Sequence, residues 1–442
     1  MKKTKLAEVI LWGSTIGYVS WSEESEIGIF EYDPKFLAAP IEPSPIVMIK
    51  KTGIFSFKGL NKQTYKGLPG LLADSLPDKF GSALLDVWLA KQGRDISTFN
   101  PVERLCYIGN RGMGALEFKP SNFKGRVNDV PIDVQDMVEL ASKILAHKEE
   151  FKEKISKKSS DKELEESLTN LLVVGTSAGG ARAKCIIAYN ESSGEVRSGQ
   201  IKAPEGFGYW ILKLDGVSNN KDKELNDPKG YGRLEYAYHL MAKDSGIEMT
   251  DCKLLEENDR AHFMTRRFDR TTDGQKLHVQ SLCAIAHYDF NQAGAYSYEQ
   301  AINVIRDIIP SNLLNETLEQ QFRRTVFNLV GRNQDDHTKN IAFMMNKNGE
   351  WKLTPAFDIT YSYNPKGEFT NKHQMSVNGK RDNFEREDLL ALAKIAGIKK
   401  SKAISIIEEI TEVFKNWNAY ATQAKVIEQH RDLKSLSFRL NL

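Results

Sequence analysis

The sequence predicts an α+β chain, rich in strands first and in helices later. Three observations predict it. Strand-like alternation recurs up to about residue 270, between turn residues at Trp12-Gly13, Ser193-Gly194 and Asn258-Asp259. Helix-start signals punctuate those strands. Beyond Arg270 the apolar residues fall mainly at helical spacing, as in Leu318, Phe322, Val326 and Leu329.

In chain order, Lys5 to Tyr18 reads as an opening hairpin, with a further strand at Ile27 to Tyr32. Pro40, Pro43 and Pro45 mark a loop. Leu84, Leu85, Trp88 and Leu89 share a helix face, which makes Trp88 a core residue. Asn100-Pro101-Val102-Glu103 starts a helix. Asn caps free N–H groups, Pro suits the first helical position and Glu closes a capping box. That helix stops at Gly109, and Arg111 to Gly114 turns into a strand at Ala115 to Phe118. Asp133 caps an amphipathic helix. The Lys/Glu-dense run from His147 to Ser167 reads as a solvated face.

Three segments are set apart by chemistry that a plain fold does not need. Gly175 to Lys184 is built of small residues that let backbone N–H groups approach an anion, and Lys184 adds charge. A plain turn has the same composition. Lys213 lies inside the apolar strand Tyr209 to Leu214. A buried Lys is costly unless it meets negative charge, although an edge-strand Lys can reach solvent. Glu235, on the first turn of a helix from Leu234, is a candidate to orient that Lys; charge complementarity at a helix start explains it equally.

The third segment is Asn333 to Asn340, between a helix ending near Arg332 and an apolar run from Ile341. Asp335 and Asn340 have the spacing of a phosphotransfer loop, in which an Asp takes a hydroxyl proton and an Asn holds magnesium. Leu353 to Asp358 then delivers a second carboxylate. Asn348-Gly349 predicts a hairpin that brings Asn340 and Asp358 to one end. Asp335, Asp336 and His337 could instead cap the helix end or hold a metal by themselves. Ile359 to Asn383, rich in Gly, Asn and Lys, is expected to be a mobile loop beside this segment.

Composition narrows the function. The chain has 442 residues, 40% hydrophobic and 27% charged, with a net charge of +2. That near-neutral balance gives no support to a nucleic-acid-binding body. Cys106, Cys185, Cys252 and Cys283 are scattered, as expected of reduced thiols in a cytoplasmic protein, and zinc is not expected. No apolar run reaches the ~18 residues of a membrane span. The expected parts are an N-terminal subdomain over 1–125, a strand-rich part over 126–270 and a helical part over 271–442.

Collected, these residues resemble the HipA-type serine/threonine kinase toxins. The resemblance rests on Gly67 to Asp78, Ser177 to Lys184, Lys213, Arg267-Phe268-Asp269-Arg270, Asp335-x-His337-x-Lys339-Asn340, and Leu353-Thr354-Pro355 through Asp358, in family order. It implies a two-lobed protein-kinase-like fold, with a mixed α/β N-lobe, an added N-terminal β-rich subdomain and an all-helical C-lobe. It implies ATP and Mg²⁺ as cofactors. Asp335 would be the base, aided by Lys213, Lys339 and Asn340. Gly179, Gly180, Ala181, Arg182, Ala183, Lys184, Lys213, Arg266, Arg267, Phe268, His337, Lys339, Phe357 and Asp358 would contact the nucleotide. Asn340 and Asp358 would hold the metal.

The resemblance further implies a HipB-like helix-turn-helix antitoxin, through which operator DNA is reached. The substrate would be a protein serine of a translation component such as an aminoacyl-tRNA synthetase. Ser177 matches the site of autophosphorylation. Two positions depart from the family: Arg266 replaces a frequent Glu, and Asp336 replaces a small residue, where an added carboxylate is expected to retune metal affinity or substrate choice. A small-molecule kinase and a non-catalytic antitoxin-binding or repressor scaffold remain as alternatives.

Overall fold

The computed structural model describes residues 3–121, 131–146, 168–172, 174–175, 182–217, 229–435 and 437–442. They form two compact units, one of 1–40, 50–232 and 252–278, the other of 41–49, 233–251 and 279–442. The expected Gly-rich stretch at Ser177, Gly179, Gly180 and Ala181 lies outside the described residues, as does the 147–167 run.

The first unit holds two antiparallel sheets. Strands β1 (Leu6–Leu11), β2 (Ser14–Ser22), β3 (Ile27–Tyr32), β4 (Ile54–Phe55) and β5 (Leu116–Lys119) pair in the order β4-β3-β2-β1-β5. The expected opening hairpin is present. Trp12 and Gly13 both take positive φ, the geometry that twists a two-residue turn to match its strands. Helix α1 (Lys79–Lys91) carries Trp88 in the core. Helix α2 (Pro101–Ile108) has its full capping box on Asn100 and Glu103 and stops at Gly109.

The second sheet runs β7-β6-β8-β10-β9, from β6 (Lys184–Asn190), β7 (Val196–Ser198), β8 (Phe207–Lys213), β9 (Cys252–Glu257) and β10 (Arg260–Arg266). The β9–β10 turn falls at Asn258 and Asp259, both at positive φ. One face of this sheet, through Cys185, Ile187, Trp210, Leu212 and Met264, packs with α1 and helix α3 (Val134–Ala146) in one apolar core. Strand side chains alternate between faces. Lys184, Lys213 and Phe263 therefore project from the opposite face.

The second unit is helical apart from a small sheet, β11-β12-β13, made of β11 (His278–Ser281), β12 (Ala342–Met345) and β13 (Trp351–Leu353). Its longer helices among the described residues are α4 (Tyr231–Asp244), α5 (Tyr298–Ile308), α6 (Ser311–Val330), α7 (Arg386–Ile395), α8 (Lys400–Lys415), α9 (Trp417–Gln423) and α10 (Glu428–Ser435). Phe327 of α6 meets Phe414 of α8 at 4.7 Å, and Phe438 packs on Phe414 and Trp417 at 5.0 and 5.7 Å.

Helix α4 begins earlier than the sequence pattern suggests, at Tyr231. Glu235 is thus past the first turn and buried, which removes the helix-start explanation for its charge. The early start depends on Gly232, where any Cβ would collide with the Ala261 carbonyl of β10.

Candidate active site

The first group of candidates sits on β6 and β8. Lys184 and Lys213 are direct cross-strand partners. Both are buried, at 4% and 6% exposure. Strand β8 lies in the middle of its sheet, so Lys213 is not an edge residue. Two like charges thus stand one rung apart on a face turned from the apolar core. Lys213 Nζ lies 5.7 Å from the centre of the Phe263 ring on β10.

The end of β8 is locked just beyond Lys213. The buried Asp215 carboxylate accepts the N–H groups of Gly230 and Ala261 at 2.9 and 3.1 Å. Its own N–H donates to His262 Nδ1 at 2.8 Å. His262 Nε2 must then carry the ring proton, and it donates to Glu257 at 3.1 Å. Burial lowers the His262 pKa to about 4, so the ring stays a neutral acceptor for that backbone.

The Arg267 guanidinium spends two of its nitrogens inside the protein. It is 2% exposed and bonds both oxygens of Asp269 at 2.8 Å. Arg270 reaches the same carboxylate at 2.7 Å, and Gly114 N–H donates to it at 2.7 Å. This buried cluster ties the end of β10 to the 112–114 turn.

The second group surrounds the segment 333–340. Asp335 is exposed, with 55% of its side chain accessible. Its N–H donates to Ser362 Oγ at 2.9 Å, and its carbonyl accepts Asn340 Nδ2 at 2.8 Å. Ser362 bonds Asn333, which bonds Asn328, which bonds Tyr298. The loop is thus held by side chains from α5 and α6 and from the chain after β13.

Asn340 spends its amide N–H on Asp335, which turns its oxygen toward other ligands. The β12–β13 register pairs Phe343 with Leu353, and Thr354 N–H reaches the Ala342 carbonyl at 2.9 Å. Continued past both strand ends, that register carries Asn340 and Asp358 to the same end of the hairpin. Asp358 adopts φ of +52°, a conformation that costs free energy and concentrates at functional positions. The hairpin turn is at the expected place, but Asn346 builds it: its carboxamide accepts the N–H groups of Asn348 and Glu350 at 2.9 and 3.1 Å.

Lys339 Nζ sits 4.8 Å from the Phe290 ring centre, and His337 packs on the same ring at 5.3 Å. His337 Nε2 is 3.7 Å from Asp335 Oδ1. Behind the loop lies a cavity of about 20 Å³, lined by Arg324, His337, Asn340 and Phe357 among others. That is room for about one water. Burial lowers the Arg324 pKa to about 10, and its Nη2 holds the Thr354 carbonyl at 2.9 Å.

Two expectations need correction. Asp336 does not face a metal or a substrate. It is 3% exposed and points inward, accepting Tyr298 Oη, His373 Nδ1 and the Gln374 N–H at 2.7, 2.7 and 2.8 Å. Burial alone would raise its pKa; His373 and the other donors hold it below the usual carboxylate range. This inward aim also means that Asp335, Asp336 and His337 do not converge on one ion. The segment expected to be a mobile loop is tied down at the same point, because His373, Gln374, Met375 and Val377 are buried. The signal for this anchor, a His and a Gln in a polar stretch, has no periodicity to reveal it.

Among the described residues no helix is long and apolar enough to cross a membrane.

Comparisons with known proteins bear on the family and the fold. A candidate kinase of Haemophilus influenzae (strain Rd) is 22% identical over 237 residues, which is 47% of this chain and 68% of that one. The Shewanella oneidensis HipA, solved with HipB and operator DNA, superposes with a TM-score of 0.65 at 15% identity, covering 97% of this chain and 94% of that one. This likeness supports a kinase-like fold of the HipA type. A HipA N-terminal domain matches residues 7–119, and a HipA-like C-terminal domain matches 176–417, over half of the chain. The chain belongs to the HipA family.

Proposed function

We propose that this chain is an ATP-dependent serine/threonine kinase that acts as the toxin of a toxin–antitoxin pair. The observation that carries the reading is the exposed Asp335 carboxylate on a loop braced from behind by Asp336 and closed by Asn340. A general base must be accessible and carried on a fixed backbone, and this carboxylate is accessible on a loop whose backbone is held on both sides.

The residues present fit a nucleotide and magnesium. Asn340 keeps an amide oxygen for a ligand, and Asp358 supplies a carboxylate at the same hairpin end. Magnesium takes oxygen ligands and keeps several waters, so one or two protein ligands suffice. When bound, it neutralises phosphate charge and favours displacement at the γ-phosphorus. In this reading Lys213 and Lys184 hold the phosphates. Asp335 orients a serine hydroxyl and accepts its proton. Lys339 stabilises charge that builds on the transferred group.

A HipB-like antitoxin is the proposed partner, by analogy with the Shewanella complex, and operator DNA would be reached through it. Ser177 is the proposed site of self-modification. A phosphate there would add about two negative charges beside a phosphate-binding loop and inhibit it.

The test is incubation of the purified chain with ATP and Mg²⁺, followed by phosphosite mapping. Phosphoserine should form in the wild type and vanish in Asp335→Ala. Equal labelling of the two proteins would remove Asp335 as the base.

A further inference from the structure

The carboxylate next to the proposed base is the buried end of a chain of polar contacts that starts near the C-terminus, at partly exposed residues. Asp336 accepts His373 Nδ1 at 2.7 Å. His373 is fully buried, and its Nε2 lies 3.0 Å from Arg439 Nη1. A guanidinium can only donate. Nε2 therefore accepts, and the ring proton sits on Nδ1, aimed at Asp336. Arg439 is itself fixed: it donates to the Leu329 carbonyl at 2.7 Å and to Asp382 at 2.6 Å, and its backbone N–H donates to the Val330 carbonyl at 3.0 Å. Arg332 extends the chain, 3.6 Å from Asp382.

The charges along this path balance. Two carboxylates, Asp336 and Asp382, alternate with two guanidiniums, Arg439 and Arg332, and a neutral imidazole relays between Asp336 and Arg439. Such an arrangement keeps a buried Asp336 ionised through the hydrogen bond from His373. Asp336 and Asp335 share a peptide bond, so a displacement of the Asp336 backbone is passed to Asp335.

We propose that Arg439, acting through His373 and Asp336, sets the position of the Asp335 carboxylate. His373 and Arg439 are positioning residues of phosphoryl transfer, a role that rests on the kinase reading above. The contacts that define them lie behind the loop, on the side away from the exposed Asp335 carboxylate.

Two measurements on the full chain test this. The first is independent of activity: ¹⁵N NMR of the His373 ring should show a neutral Nδ1–H tautomer that changes in Arg439→Met. A ring protonated on Nε2 overturns the proposal. The second is steady-state kinetics. His373→Leu and Arg439→Met should lower kcat by about 10–100-fold, the cost of a misplaced catalytic group. KM for MgATP should stay within about twofold, since ground-state binding is unaltered. His373→Asn keeps an N–H toward Asp336 and should recover most of the rate. A folded Arg439→Met with wild-type kcat, or a His373→Asn no better than His373→Leu, refutes it. If His373→Leu fails to fold, Arg439→Lys against Arg439→Met carries the comparison. A wild-type chain that transfers no phosphate would defeat the kinase reading, whereas the tautomer would still report on the anchor.

Discussion

Asn340 donates its side-chain amide to the backbone carbonyl of Asp335 at 2.8 Å. The proposed base and the proposed metal ligand are therefore one mechanical unit. Their substitutions should differ in kind. Asp335→Asn removes an exposed charge and keeps the backbone bonds of the loop, so the fold is expected to melt within about 1 °C of wild type. Phosphotransfer should fall by about two orders of magnitude or more. Asn340→Ala removes a ligand and a loop bond together. It should raise the Mg²⁺ concentration needed for half-maximal rate as well as lower kcat. A magnesium titration of both variants checks this, and identical magnesium curves would count against Asn340 as a ligand.

Lys184 and Lys213 are cross-strand partners on the face of their sheet that turns away from the apolar core. If that face receives phosphates, either Lys→Met change should weaken MgATP binding by about tenfold, the worth of one charge-assisted contact. Adenosine binding should change little. Calorimetry with both ligands separates the cases. Equal losses for ATP and adenosine would mean that the lysines support the strand and not the phosphates.

Local chemistry made much of this fold readable. The Asn100–Glu103 capping box, the Trp12-Gly13 turn and the α6 stripe each follow from neighbours in sequence, and the structure contains all three. The spacing of Asp335 and Asn340 was also local. What was not legible is non-local. Nothing near Asp336 in sequence says that it is buried, because its donors Tyr298, His373 and Gln374 come from distant segments. Without them an added Asp beside Asp335 reads as a second site carboxylate. Lys184 opposite Lys213 depends on strand register, which is set by tertiary packing. The start of α4 is not legible locally either, because the missing side chain of Gly232 admits the β10 backbone, a contact with a distant segment.

The His262 ring accepts the Asp215 N–H only while it is neutral. Burial depresses its pKa to about 4. In the unfolded chain the ring takes a proton below its ordinary pKa of about 6.5. The unfolded state therefore binds more protons between these values. The stability contribution is complete above about pH 6.5 and is lost as pH falls toward 4. His239 and His287 are also lowered to about 4, chiefly by burial, so they act in the same window. His262→Asn retains an acceptor for Asp215 but does not titrate. Its unfolding free energy should fall less steeply with acid, by about 1.4 kcal/mol per pH unit near pH 5. Urea titrations from pH 4 to 8 measure the slope, and parallel curves for the two proteins would show that His262 is not neutral in the fold.

Asp269 is the anion that two buried guanidiniums share, and the Gly114 N–H completes its shell. Burial by itself would raise its pKa, but Arg267 and Arg270 hold it well below the ordinary carboxylate range. A carboxyl so depressed contributes stability that is complete above the unfolded pKa of about 3.9. That contribution is lost as pH falls below it. Asp269→Asn leaves Arg267 and Arg270 buried side by side without their counter-charge, and such broken pairs cost about 3–5 kcal/mol. The gap between wild type and variant should be constant from pH 5 to 8. Below about pH 4 it should narrow by about 1.4 kcal/mol per unit, as the unfolded wild type takes up its proton. A gap that does not change with acid would mean that the variant loses packing at the 112–114 turn, and not charge.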